Sequence, residues 1–240
     1  MNRPAMIFTA ICFGLCPMLA QASTVAYIDV STSNGYADTF AINGIDTGGN
    51  GEFYGHNMAE NDFTLSANML GDSSMPRLGG SLHVSNSTNQ EVEYVIGFLM
   101  PLMDVDAGTY DWDASLTMTI TGIDGSVRSI AEEPIWAAMV GDHDIGTMFT
   151  NPFELAFEGP GTASIDNAIS GNMNYLGGEY MSVQYSFSLS AGDTVVFGGS
   201  MGFVPAPGAL CLLGLAAIAG RRRRRSTSSA QAAQPDHHRA

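Results

Sequence analysis

Apolar and polar residues alternate along this chain in several separate runs, and the alternation has period two. Over residues 179–190, Met181, Val183, Tyr185, Phe187 and Leu189 interleave with Ser182, Gln184, Ser186, Ser188 and Ser190. Successive side chains of a strand point to opposite faces, so this run predicts a strand with one apolar and one hydroxyl-rich face. Residues 115–121 repeat the pattern, with Leu116, Met118 and Ile120 on one side and threonines on the other. Residues 62–69 do so through Phe63, Leu65, Ala67 and Met69, and residues 91–99 through Val92, Tyr94, Ile96 and Phe98. One-faced alternation belongs to antiparallel sheets with a solvated outer surface.

Turn-forming residues punctuate these runs. Asn43-Gly44, the glycine-rich stretch 48–51, Asp124-Gly125 and Ala191-Gly192-Asp193 predict tight connections, with Asp124-Gly125 a hairpin between Ile123 and Val127. No stretch of residues 23–203 carries a helical period with caps; residues 130–140 come nearest, and Pro134 interrupts them. The expected architecture is all-β: an antiparallel β-sandwich, jelly-roll or Ig-like, of roughly 8–10 strands.

The two ends differ from this body. Arg3 precedes an apolar run over residues 6–19, and Ala20-Gln21-Ala22 follows it. That is the layout of a secretory signal peptide, with small Ala20 and Ala22 at the two positions signal peptidase reads and cleavage after Ala22. The other end runs Val204-Pro205-Ala206-Pro207-Gly208, then an apolar stretch over 209–219, then Arg221, Arg222, Arg223, Arg224 and Arg225. Such a stretch is short for a permanent span, which needs about 20 residues. The arginines would stop it in the membrane with the basic block on the cytoplasmic side. The predicted organisation is a signal peptide at 1–22, a β-sandwich domain at 23–203, a sorting tail at 204–225 and a polar tail at 226–240.

In Val204, Pro205 and Pro207, the short glycine-containing apolar stretch and the arginine block, the tail resembles the PEP-CTERM sorting signal. Ala206 stands where that family has glutamate, and the chain continues past the arginines. The resemblance implies an exosortase-type transpeptidase and signal peptidase as export partners, with transient insertion in the inner membrane through residues 208–220. It implies a secreted or cell-surface protein of a Gram-negative-type bacterium, linked to extracellular polysaccharide and biofilm matrix.

Charge narrows the partners of the body. The chain has no lysine and a formal net charge of −15, and between residues 23 and 203 its only basic side chains are Arg77 and Arg128. So acidic a body repels a phosphate backbone, which excludes nucleic acid as a partner. The three cysteines, Cys12, Cys16 and Cys211, all lie in the terminal segments, so the body carries neither a disulfide framework nor a thiolate zinc site.

Candidate chemistry in the body is sparse. His56, His83 and His143 are its only histidines, and no serine sits in a Gly-x-Ser-x-Gly elbow, so no catalytic residue is assigned and no enzyme is expected. No organic cofactor is expected either. Asp104 with Asp106, and Asp142 with Asp144, are oxygen-rich pairs of the kind calcium takes in loops. Trp112, Trp136, Tyr54, Tyr175 and Tyr180 are the aromatic side chains available for stacking sugars. Trp112, between two aspartates, reads as core, and Tyr175 sits in a glycine-rich loop that could expose it; core or loop packing is the favoured reading for each of the five. The expected function is a non-enzymatic surface or matrix protein, with a carbohydrate- or calcium-binding lectin-like module as the alternative.

Overall fold

The computed structural model describes residues 25–47, 51–72, 77–102, 107–141, 143–175 and 180–205. Fifteen strands follow in chain order: β1 Val25–Thr32, β2 Ala37–Asn43, β3 Ile45–Asp46, β4 Gly51–Ala59, β5 Phe63–Asp72, β6 Arg77–Asn86, β7 Val92–Pro101 and β8 Gly108–Ile123. After these come β9 Ser126–Ser129, β10 Trp136–Val140, β11 His143–Met148, β12 Glu154–Ala156, β13 Pro160–Tyr175, β14 Tyr180–Leu189 and β15 Thr194–Pro205. No helix occurs among the described residues, and so none there is long and apolar enough to cross a membrane. Residues 1–22 and 206–240 lie outside the described residues, and with them the signal-peptide positions Ala20 and Ala22, the tail residues Ala206, Pro207 and Gly208, and Arg221–Arg225.

The strands form two antiparallel sheets. One has eight strands in the order β11-β10-β14-β7-β1-β2, with β9 on β14 and β12 on β9; the other has seven, in the order β13-β8-β15-β6-β5-β4-β3. The alternation read from sequence is what faces them together. Met181, Val183, Tyr185, Phe187 and Leu189 of β14 and Val92, Tyr94, Ile96 and Phe98 of β7 are buried, as are Phe63, Leu65, Ala67 and Met69 of β5 and Leu116, Met118 and Ile120 of β8. Aromatic rings join the layers. Phe98 meets Tyr54 at 5.8 Å between ring centroids, Tyr94 meets Phe63 at 5.8 Å, and Phe197 meets Tyr185 at 4.9 Å and Phe187 at 5.0 Å. Edge-to-face and tilted pairs at these separations add to the burial of their area.

The sandwich is as expected, but the fifteen strands among the described residues exceed the expected 8–10. The surplus comes from pieces too short to alternate: β3, β9 and β12 have two, four and three residues. β9 and β10 share one side of β14 in tandem, β10 along Met181–Tyr185 and β9 along Phe187–Leu189. Between them the chain loops out, and the Ser186 amide donates to the carbonyl of Ile135 at 2.9 Å. The hydroxyl face of β14 is therefore not all solvated: Ser186 and Ser188 are buried.

The tight turns also differ from expectation. Asp124-Gly125 does not close a hairpin; it carries the chain from β8 in the seven-stranded sheet to β9 in the eight-stranded one. Asn43-Gly44 and Ala191-Gly192-Asp193 cross between the sheets in the same way. Asp124 has φ 53° and Gly192 φ 73°, conformations that serve a corner as well as a hairpin. Strand pairing, not turn chemistry, decides between the two.

A polar knot ties these crossings. Asp193 is buried; its carboxylate accepts from the Ile123 amide at 3.1 Å and from the Ser190 hydroxyl. The Asn86 amide donates to the carbonyls of Leu189, Ser190 and Gln90 at 3.0, 3.1 and 2.7 Å. The Ser126 amide donates to the Ser190 hydroxyl oxygen at 2.7 Å. Buried backbone groups at a corner have no ladder partner, so side chains supply one.

Candidate functional site

The outer face of the seven-stranded sheet is built by the polar half of each alternation. Across β8 and β13, Thr119 pairs with Ser164 at 2.9 Å and Thr121 with Thr162 at 3.1 Å; Ser115 meets Ser200 of β15 at 3.1 Å, and Ser85 of β6 meets Thr194 of β15 at 2.8 Å. Cross-strand hydroxyl pairs of this kind hold neighbouring strands in register.

Toward one end this face hollows into a groove of about 620 Å³. Glycine makes the hollow: Gly79 and Gly80 of β6 and Gly199 and Gly202 of β15 line it. Gly80 has φ +150° and leaves the alternation of its strand; a Cβ there would lie 2.1 Å from the Asn68 carbonyl oxygen. A Cβ on Gly199 would lie 2.5 Å from the Ser115 carbonyl oxygen. Neither position has room for a side chain, so the floor is backbone.

Two rows of register partners meet at the groove, one through Asp72, Arg77, Gly202 and Asp113 and the other through Leu70, Gly79 and Ser200. One runs Asp72, Arg77, Gly202, Asp113 across β5, β6, β15 and β8. The Arg77 side chain lies over Gly202, whose added Cβ would sit 3.4 Å from its Cγ and 3.7 Å from its Nε. That course carries the guanidinium toward β8, where Asp113 stands in register. The other row runs Ile45, Phe53, Leu70, Gly79, Ser200. It is apolar at its start: Ile45 is 64% and Leu70 53% exposed, and Phe53 is half-buried beside them. Val204, 48% exposed, adds an apolar wall from the end of β15. Of the two arginines in the described residues, Arg128 pairs with Glu154 at 2.9 Å and Glu91 at 3.5 Å on the opposite sheet, so Arg77 is the cation of the groove.

The residues singled out from sequence fall elsewhere. Asp104, Asp106 and Asp142 lie outside the described residues, and Asp144 is exposed on β11 beside His143. Among the described residues no three His, Cys, Asp or Glu side chains gather in a way that could hold a metal ion. The histidines are dispersed: His56 stacks on Phe40 at 4.5 Å between the sheets, His83 stands on the outer face of β6, and His143 stands at the β11 edge. Trp112, Trp136, Tyr54 and Tyr175 are buried and Tyr180 is half-buried. Trp112 turns inward between exposed Asp111 and Asp113, as its place between two aspartates implied. Val204 and Pro205, read as the start of the tail, belong to β15 and pair with Asp111 and Tyr110. The groove residues went unread because they come together only by register. A trace existed in Leu70, an apolar residue out of phase with Phe63, Leu65, Ala67 and Met69, and in the doublets Gly79-Gly80 and Gly198-Gly199.

No family model matches the chain, and no curated protein matches it. Solved structures similar to it include a Stig cyclase, Fisc, from Fischerella sp. TAU, at 12% identity over 62% of this chain and 78% of that one, with a TM-score of 0.30. The enzymatically active domain of Bacteriophage CBA120 tailspike protein 4 is 14% identical over 62% of this chain and 21% of that one, with a TM-score of 0.26. TmCBM61, solved with beta-1,4-galactotriose, is 10% identical over 62% of this chain and 99% of that one, with a TM-score of 0.24. Likeness at these scores says nothing of a ligand or a reaction.

Proposed function

We propose that this chain is an exported, non-enzymatic surface protein whose sandwich binds carbohydrate in the groove on the outer face of the seven-stranded sheet. The observation that carries the reading is the pairing of an apolar row with a charged row over a glycine floor. A sugar ring offers C–H faces and a rim of hydroxyls. Leu70 and Val204 suit the first, while the guanidinium of Arg77 and the carboxylates of Asp72 and Asp113 suit the second. A glycine floor lets an extended chain lie close to the backbone.

The test is a glycan array with the secreted protein, followed by calorimetric titration of the hits. Arg77→Ala and Leu70→Ala are each expected to weaken binding at least tenfold, about 1.4 kcal/mol. Binding that survives both substitutions unchanged, or none across neutral and acidic glycans, overturns the reading.

Export rests on the two ends: Ala20 and Ala22 ahead of the body, and the PEP-CTERM-like tail behind it. In this reading signal peptidase frees Ser23, an exosortase-type transpeptidase removes the arginine block, and the body is displayed in the extracellular polysaccharide. Intact mass of the protein from envelope and medium checks it. A mature form lacking residues 1–22 and Arg221–Arg225 is expected, and persistence of the arginine block argues for a permanent anchor instead.

A further inference from the structure

Sheet edges expose unpaired N–H and C=O groups, and proteins blunt them with short strands, bulges, prolines or lysines. Here the edges are unequal. The seven-stranded sheet ends on one side in β3, of two residues; a further edge of the eight-stranded sheet is β12, of three. β11 carries a register shift against β10, and β2 has seven residues. β13 has none of these defences beyond Pro160 at its first residue. It runs sixteen residues, pairs with β8 in one unbroken register, and among the described residues pairs with nothing on its other side. Its sequence holds no lysine or arginine, one acidic residue, Asp166, and no proline after Pro160.

The sequence of β13 is also complementary to itself. Antiparallel pairing of two copies about a two-fold axis at Asn167 sets Ile165 of one copy opposite Ile169 of the other, twice. It sets Ser164 opposite Ser170, Thr162 opposite Asn172 and Asp166 opposite Ala168, so no like charges meet. Ile165 and Ile169, with Ala163 and Met173, are the partly buried apolar residues of this strand that rest on the core, and the pairing covers the exposed sides of the two isoleucines. A shift of the axis to Ala168 would set Ile165 against Gly171 and leave both isoleucines without apolar partners. Cross-strand apolar pairs and the absence of facing charges decide register in this way.

From this unguarded, self-complementary edge we infer that two copies of the chain join through β13, antiparallel about Asn167, into one continuous sheet of twice seven strands. An isologous two-fold contact closes on itself, so the product is a dimer and not a fibre. The inference stands apart from the carbohydrate reading: it uses the edge, and that reading uses the groove.

Light scattering coupled to size exclusion, over a dilution series of the secreted protein, should return twice the monomer mass and a concentration-dependent dissociation. Asn167 is exposed, so substitutions there leave the monomer fold in place. Asn167→Lys and Asn167→Asp put like charges at the axis, and each should raise the dissociation constant at least tenfold while the circular dichroism spectrum is unchanged. Asn167→Cys should form an interchain disulfide on mild oxidation, between two peptides that both carry position 167; the natural cysteines, Cys12, Cys16 and Cys211, lie on other peptides. A monomer at every concentration overturns the inference. So does a dimer untouched by either charged substitution and without that cross-link.

Discussion

Asp193 shows what a single side chain carries here. It is buried at the corner where β14 passes to β15, and its carboxylate holds the Ile123 amide and the Ser190 hydroxyl, groups belonging to two different crossings. Gly122 leaves room for it, since an added Cβ there would overlap the carboxylate. Alanine at 193 takes the acceptor from the part-buried Ile123 amide, a loss of about 1–3 kcal/mol, while the Ser190 hydroxyl keeps the Ser126 carbonyl at 3.0 Å. Asp193→Ala is expected to lose about 2 kcal/mol or more of stability by urea denaturation. Asp193→Asn, which keeps an acceptor toward Ile123, should lose clearly less. Equal losses would mean that the charge, and not the hydrogen bonds, matters at this corner.

At the scale of elements, the strands with one fully covered face were legible in sequence. β5, β7, β8 and β14 alternate cleanly because every second residue meets the other sheet. β13 was not legible, because its inward positions are only half covered and Asn167 among them is exposed. The glycines of β6 and β15 bear on the groove and on pairing alike. Gly80→Ala would drive a Cβ into the β5 backbone at a φ that L residues rarely adopt, an expected cost of about 3 kcal/mol. Gly198 has nothing within 4 Å of an added Cβ, so Gly198→Ala should be neutral, or stabilising by up to about 1 kcal/mol. Thermal unfolding of the two variants side by side checks both. A stable Gly80→Ala protein would mean that the groove floor is not held where described. The groove itself could not be found along the chain: Asp72 and Arg77 are near in sequence, but Asp113 and Gly202 reach them only through three strand pairings.

For the whole molecule, the joined aromatic layer sets the response to alkali. Burial raises the phenol of Tyr94 above its ordinary value of 10.0, with Asp62 adding to the effect. Burial likewise raises Tyr185, against a hydrogen bond with Trp136 that lowers it. A raised folded pKa means that both phenols stay protonated in the folded protein while the unfolded chain ionises near 10. Their contribution is whole below pH 10 and is lost as pH climbs toward the folded values, at up to about 1.4 kcal/mol per pH unit for each. Stability from urea denaturation should thus fall steeply above pH 10. The Tyr94 hydroxyl is buried with no hydrogen-bond partner among the described residues, so Tyr94→Phe should cost nothing at neutral pH and should flatten the alkaline limb. An unchanged limb in that variant would place the alkaline sensitivity elsewhere.

The sequence by itself determined the class of this fold, because period two and a buried face are local facts that each run of residues states on its own. It also determined that the body would be acidic, free of cysteine and bracketed by two apolar segments. Only the tertiary structure decided that Asp124-Gly125 is a corner, that Ser186 and Ser188 are buried, that Arg77 lies over Gly202, and that β13 ends a sheet. The physical reason is the same for each. A side chain's facing is fixed by its neighbours along the strand, whereas its company is fixed by hydrogen bonds to strands far away in the chain.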